Sequence, residues 1–534
     1  MQPTSFSSPF GGGWEGAIQF YTMTGKVVEV KDQVLSIMDT TLRDGEQTSG
    51  VSFTDMEKLS VARILLEDVK VDRIEIASAR VSEGEFLAAK RVLEWAKYKG
   101  HLHKVEILGF VDGKTSLDWI NTAGGKVLNL LCKGSYRHVT QQLRKTPEQH
   151  IEDIKRSIDY ATELGISVNV YLEDWSNGMR SSKDYVHFMV TELRKLNIKH
   201  IMLPDTLGIL DPDETYEFCR EMIETYPDVE FDFHAHNDYD LAIANVFHAI
   251  KAGIRCVHTT VNGLGERAGN APLSSVIATV KDHLKMQTRV NESMLNKISK
   301  LVESFSGIRI PTNKPLIGEF VFTQCSGIHA DGDSKNNLYF NDLLPERFGR
   351  HRVYALGKTS GKANIKNNLE ELGIELDPAS LKLVTDRIIE LGDHKETVTI
   401  EDLPYIVADV LNSDHGEAPI QLVNYSLSHA MGLRPSATVS FLIKGEKYEA
   451  TAPGDGQYDA FMNAIQSIYQ ELNKPFPKLV DYSVTIPPGG KTDALVETVI
   501  IWKLDREFKT RGLDSDQTAA AIKATMRMLN LIEK

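Results

Sequence analysis

The chain has 534 residues, of which 42% are hydrophobic and 25% charged, and its formal net charge is −14. That length exceeds what one hydrophobic core usually serves, so two or three domains are expected, and the composition is ordinary for a globular protein. The acidic balance excludes nucleic acid as the main partner, because phosphate backbones need a basic face, and no run approaches the roughly 20 apolar residues of a membrane span.

Residues 1–33 include Gly11, Gly12 and Gly13 among Ser and Phe residues, with no basic segment leading into a continuous apolar run. They are expected to be a flexible extension rather than a signal peptide. Cys132, Cys219, Cys256 and Cys325 are scattered, without a CxxC pair, which reads as reduced thiols in a cytoplasmic protein.

From residue 34 onward, short apolar β-branched runs alternate with amphipathic helical segments, the pattern of βα units on a parallel sheet. Strands are expected at 34–42, 71–77, 104–110, 126–132, 167–174, 200–205, 229–236 and 256–262. Eight such units in roughly 250 residues predict an α/β fold, a TIM (β/α)8 barrel over 34–295, whose active site lies at the C-terminal ends of the strands. The polar residues gather there: Thr40 to Gln47, Glu173 and Asp174, Asp205 and Thr206, His234 to Asn237, and Asn262 to Asn270.

Residues 296–417 read as helical linker subdomains and contain a basic run, Arg347, Arg350, His351 and Arg352, which suits either coenzyme phosphates or a solvated turn. From 418 to 534 the pattern is α+β, two copies of a strand–strand–strand–helix unit: strands near 421–428, 438–444 and 446–452 with a helix over 458–472, then strands near 479–486, 494–503 and 506–511 with a helix over 516–532. A duplicated unit without a catalytic cluster suggests an effector-sensing or assembly domain.

In Phe231-Asp232-Phe233-His234-Ala235-His236-Asn237, alternation along a strand sends both imidazoles to the barrel interior. Asp44 after strand 1 and Asn270 after strand 8 come beside them once the barrel closes. Two imidazoles, a carboxylate and an amide oxygen without thiolate suit Zn2+, Mn2+, Mg2+ or Co2+, and a six-coordinate ion keeps two positions for the keto and carboxylate oxygens of a 2-oxo acid. The glycine run Gly263, Gly265 and Gly269 has G-x-G-x-x-x-G spacing and follows the eighth strand, so it is not a dinucleotide fingerprint.

Thr41-Leu42-Arg43-Asp44-Gly45-Glu46-Gln47, His234-Ala235-His236-Asn237 and Asn262 to Asn270 resemble the signatures of the 2-isopropylmalate, homocitrate and citramalate synthase family, and the likeness extends over residues 34–532. Ile107 to Gly113, Tyr171 to Gly178, Gly327 to Gly332 and Pro487 to Asp493 resemble its citramalate-forming branch most. The resemblance implies a metal-dependent Claisen condensation of acetyl-CoA with a small 2-oxo acid, in a homodimer. Arg43 would stabilise the alkoxide. Glu173 and His329, with Tyr339 nearby, would serve removal of the acetyl methyl proton. Arg43, Asp44 and Thr206 would bind the oxo acid, whose side chain meets Leu108, Leu131 and Tyr171; three bulky residues favour pyruvate. Tyr458, Asp459, Leu479, Tyr482, Ile486 and Val496 match an effector pocket, with isoleucine as the expected effector. The runner-up within the family is the isopropylmalate-forming reaction with 2-oxoisovalerate, and a barrel lyase running the reverse chemistry and a metal-binding sensor are the other competing readings.

Overall fold

The computed structural model describes residues 18–21, 27–30, 34–324, 341–393, 419–485, 496–514 and 516–533, with isolated positions between 398 and 410. Within residues 1–33, Ile18–Tyr21 pairs antiparallel with Val27–Val30.

Eight parallel strands close a barrel: β1 (Val34–Asp39), β2 (Arg73–Ser78), β3 (Val105–Phe110), β4 (Val127–Lys133), β5 (Ser167–Glu173), β6 (His200–Asp205), β7 (Glu230–Ala235) and β8 (Cys256–Thr259). Each pairs with the next, and β8 returns to β1 through Cys256↔Ser36 to Thr259↔Asp39. Every expected strand is present, with ends shifted by up to three residues. The strands read as nearly continuous apolar runs because both faces are covered, by helices outside and by packed side chains inside. Helix starts are set locally. Thr54 with Glu57, Thr146 with Gln149 and Asp211 with Glu214 each form reciprocal capping boxes, the last two followed by proline.

The barrel unit runs beyond residue 295. Helix Leu295–Ser306 buries Leu295, Ile298 and Val302 in the barrel's own core, and residues 341–352 belong to the same compact unit. In the basic run, Arg347 pairs with Asp282 at 2.9 Å and Glu292 at 2.6 Å, and Arg350 donates to the carbonyl oxygens of Leu316, Gly318 and Glu319. Those two guanidiniums serve the local fold rather than a coenzyme.

The second unit contains a small helical core around Ile365, Leu369, Val384 and Ile388, and the duplicated module. Strands β9 (Ile420–Ser428), β10 (Ser436–Ile443) and β11 (Glu446–Pro453) form one antiparallel sheet followed by helix Gln457–Glu471. Strands β12 (Lys478–Thr485), β13 (Val496–Lys503) and β14 (Glu507–Asp514) form the other, followed by helix Gln517–Ile532. Phe441, Phe461 and Tyr469 of the first copy share one core with Ile500, Trp502 and Met528 of the second, so neither copy buries its apolar face alone. Among the described residues no helix is long and apolar enough to cross a membrane.

Candidate active site and metal centre

β7 ends with Asp232, His234 and then His236 on the barrel's inner side, while Phe231 and Phe233 pack outward into the hydrophobic core. His234 Nε2 lies 3.1 Å from Asp44 Oδ2, His236 Nε2 lies 3.9 Å from the same oxygen, and the two Nε2 atoms are 3.3 Å apart. All three residues are buried. Asn270 joins them through a bridge to His236, and its amide Nδ2 donates to the Leu264 carbonyl at 3.2 Å, which leaves Oδ1 as the free end.

Asp44 Oδ1, His234 Nδ1, His236 Nδ1 and Asn270 Oδ1 are all buried without a hydrogen-bond partner. An unsatisfied buried polar atom costs on the order of 1–3 kcal/mol, so the orphaned Asp44 and Asn270 oxygens beside the two convergent Nε2 atoms call for a ligand. A divalent cation among these donors fits. Burial opposes the charge on Asp44, but the Arg43 guanidinium and His234 outweigh it and hold its carboxyl well below the ordinary range. Burial pushes His236 down to about 4, so it presents a neutral ring, the form that ligates metal.

The glycines of the β8 loop build this corner. Gly265 has φ 152°, and a Cβ there would lie 2.3 Å from Asn270 Nδ2; at Gly269, φ 85°, a Cβ would lie 2.0 Å from the Gly263 carbonyl oxygen. Glycine is needed so that the loop can fold tightly behind Asn270, not to approach a pyrophosphate.

Arg43 follows β1 and points its Nε at buried Glu75 while Nη1 lies 3.2 Å from Asp44 Oδ2. Glu75 in turn accepts from Asn129 Nδ2 at 2.7 Å, and Asn129 Oδ1 accepts from Asn169 Nδ2 at 2.9 Å. The sequence reading searched strand ends and missed this network. Its signal was a charged or amide residue at an inward position of an otherwise apolar strand. β4 and β5 continue inward in register as a ladder of Asn129↔Asn169, Leu131↔Tyr171 and Lys133↔Glu173. At the top rung Lys133 Nζ pairs with Glu173 Oε2, and Lys133 also escaped the sequence reading.

Leu108 and Tyr171 are buried in one cluster with Met38, Met202 and Cys256, and Leu131 packs against it. The Tyr171 ring stands edge-on to His234 at 6.1 Å, with the Arg43 guanidinium 5.8 Å from its centroid. Thr206 Oγ1 accepts from the Asp174 amide at 2.9 Å and keeps its own hydrogen to donate. Asp205 and Asn237, also at the rim, hold the loops that follow them: Asp205 accepts from the Ile209 and Leu210 amides, and Asn237 Oδ1 from the Ala242 amide. His329 and Tyr339 lie outside the described residues.

In the duplicated module Tyr458 and Tyr482 meet with ring centroids 5.5 Å apart, and Tyr458 Oη lies 2.7 Å from Thr525 Oγ1. Asp459 Oδ2 accepts from the Asp455 amide, Val496 is buried, and Leu479 is exposed at the start of β12. Ile486 lies outside the described residues.

Fold and site together define a barrel enzyme with a candidate divalent-metal centre at its mouth. The HMGL-like family model matches residues 34–302, the homocitrate synthase post-HMGL domain-like model 316–396, and the LeuA allosteric (dimerisation) domain model 397–533. A protein of Methanopyrus kandleri named "probable 2-isopropylmalate synthase" is 35% identical, over 93% of this chain and 98% of its own length. An (R)-citramalate synthase of Methanocaldococcus jannaschii is 32% identical, over 93% of this chain and 99% of its own length. Among solved structures, an HMG-CoA lyase from Acenitobacter baumannii in complex with coenzyme A and 3-methylmalate matches at 19% identity and TM-score 0.42, covering 52% of this chain and 93% of that one. The chain belongs to the 2-isopropylmalate and citramalate synthase family: it is an enzyme of the acetyl-CoA-condensing acyltransferases and carries that family's dimerisation domain.

Proposed function

We propose that the chain is an (R)-citramalate synthase, condensing acetyl-CoA with pyruvate to give citramalate and free CoA on the route to isoleucine. The observation that supports this reading is the packed cluster of Met38, Leu108, Leu131, Tyr171 and Met202 beside His234, whose bulky apolar side chains suit the methyl group of pyruvate better than an isopropyl group. Asp44, His234, His236 and Asn270 would hold the divalent cation, Zn2+, Mn2+, Mg2+ or Co2+, which when bound supplies Lewis-acid polarisation of the keto group.

The chain's own groups have separate tasks. The Arg43 guanidinium, kept in place by Glu75, faces the oxygen on which negative charge develops as the acetyl enolate attacks; such fixed charge is usually the largest catalytic contribution. The Thr206 hydroxyl donates to the oxo-acid carboxylate. Glu173 accepts the acetyl methyl proton, and Lys133 holds that carboxylate against the barrel wall. By family resemblance His329 and Tyr339 assist. Water then hydrolyses the thioester to release CoA. The dimerisation domain supports a homodimer, and Tyr458, Asp459, Leu479, Tyr482, Ile486 and Val496 are assigned to an isoleucine pocket that inhibits the barrel.

A thiol-release assay with acetyl-CoA against pyruvate, 2-oxobutyrate, 2-oxoisovalerate and 2-oxoglutarate tests the substrate. Pyruvate is expected to be best and 2-oxobutyrate weak, since one methylene is worth only about 1–3 kcal/mol in discrimination. Preference for 2-oxoisovalerate would make the chain a 2-isopropylmalate synthase, the reading that the Methanopyrus relative's name favours. For the effector, isoleucine inhibition that persists undiminished in Tyr458→Ala would remove the assigned pocket.

A further inference from the structure

Beneath the metal ligands the barrel holds a second buried polar group that the mechanism above does not use. The Tyr171 hydroxyl lies 3.1 Å from His258 Nδ1, and His258 Nε2 lies 3.2 Å from Asp232 Oδ2. Asp232 is also paired with Arg73 and with His200 Nδ1 at 3.0 Å, and Arg73 Nη2 lies 2.9 Å from Cys256 Sγ. Asp232, Cys256 and His258 are close enough to hold an ion, but a guanidinium already sits against two of the three, so this cluster is not a second metal site.

Hydrogen-bond directions follow from the carboxylate. Asp232 beside Arg73 accepts from His258 Nε2–H, the neutral ring then offers Nδ1 as an acceptor, and the Tyr171 O–H donates downward to it. A tyrosine whose single hydrogen is spent below the pocket presents only its ring to the substrate. That ring is the member of the apolar cluster that touches both Arg43 and a metal ligand. We infer that His258, held by Asp232 and Arg73, is a specificity-determining positioning residue: it pins Tyr171 by its hydroxyl, so that the pocket stays small and closed to oxo acids with longer or polar side chains. The inference rests on the acetyl-CoA and 2-oxo acid reading of the same site.

The consequence is that pocket size depends on a residue that does not reach the substrate. Freed from His258, the tyrosine can rotate, and the discrimination against one added methylene falls. Deleting the hydroxyl alone, in Tyr171→Phe, breaks the same link from the other end with the ring retained. The two changes should not add, because residues acting through one contact are coupled.

The test measures kcat/KM for pyruvate and for 2-oxobutyrate in the parent, His258→Gln, His258→Leu, Tyr171→Phe and the Tyr171→Phe/His258→Leu double variant, with bound metal counted in each. His258→Leu and Tyr171→Phe are expected to lower the pyruvate preference by roughly tenfold, mainly through KM, with metal retained. The double variant should match Tyr171→Phe, and His258→Gln, which can still donate to Asp232 and accept from Tyr171, should restore most of the preference. An unchanged preference in soluble, metal-loaded His258→Leu, or additive losses in the double variant, would overturn the inference. If the parent releases no thiol with any oxo acid, the substrate reading itself fails instead. Should His258→Leu not fold, Tyr171→Phe against His258→Gln decides alone: an unaltered preference in Tyr171→Phe contradicts the link.

Discussion

Two triads inside the same barrel have the geometry to bind a metal ion: Asp44, His234 and His236 at the mouth, and Asp232, Cys256 and His258 one layer below. Residue type, burial and spacing hardly separate them. What differs is how much bonding capacity each has left. In the lower triad Arg73 occupies the carboxylate and lies against the thiol, while His258 is engaged at both nitrogens. In the upper triad Arg43 also lies 3.2 Å from the carboxylate, but it meets only Asp44 Oδ2, and Asp44 Oδ1 and neighbouring Asn270 Oδ1 are buried with no hydrogen-bond partner. Ligand-capable geometry is therefore not a site by itself; unspent, convergent donors are.

The comparison breaks most directly at the upper triad. His234→Ala is expected to cut condensation by about three orders of magnitude or more, because Lewis-acid activation supplies several kcal/mol. Activity that survives this change in chelator-treated protein would remove the metal from the chemistry. A subtler route leaves every ligand in place. Gly265→Ala forces a methyl group toward Asn270 Nδ2, and metal affinity measured by competition with a chromogenic chelator is expected to fall about 10- to 100-fold. Unaltered affinity would mean that Asn270 is not a ligand.

Lys133→Met probes the rim between these layers. It frees Glu173 without touching the ligands, so kcat should drop by roughly tenfold or more with bound metal unchanged, and exchange of the acetyl methyl protons in D2O should slow in parallel. Exchange at the parental rate would show that the ion pair is only structural. An effect on stability rather than catalysis concerns His150, whose Nε2 accepts from the Lys133 amide at 3.2 Å. Burial lowers this ring to about 4 from 6.5, so its contribution to stability is complete above about pH 6.5 and is lost as the pH falls toward 4, up to roughly 3 kcal/mol. Melting curves of the parent and His150→Gln should therefore diverge least at the acid end of that window and most above it; parallel pH dependences would contradict the assignment.

The sequence made the fold legible because both the barrel and the duplicated module rest on local periodicity. All eight barrel strands and the six strands and two helices of the module are where alternation and amphipathic spacing put them. That Asp44, His234, His236 and Asn270 come together was legible too, since strand ends at one rim of a closed barrel converge whatever the loops do. The inner layers were not. Glu75, Asn129 and Asn169 lie mid-strand, and only the register of neighbouring strands shows that they meet. Asp232 sits two residues before His234 on the same face, yet its partners Arg73 and His258 lie far from it along the chain, so nothing local distinguishes a pinned structural carboxylate from a ligand. Helix Leu295–Ser306 is a similar case: its amphipathic pattern is ordinary, and only packing reveals that its apolar face shares the barrel's core.

Metal content per chain, measured on purified parent, His236→Ala and Cys256→Ala protein after equilibration with Mn2+ and gel filtration, tests the central claim most directly. The account predicts one ion in the parent, none in His236→Ala and one in Cys256→Ala. An ion retained by His236→Ala and lost from Cys256→Ala would place the metal in the lower triad and contradict it.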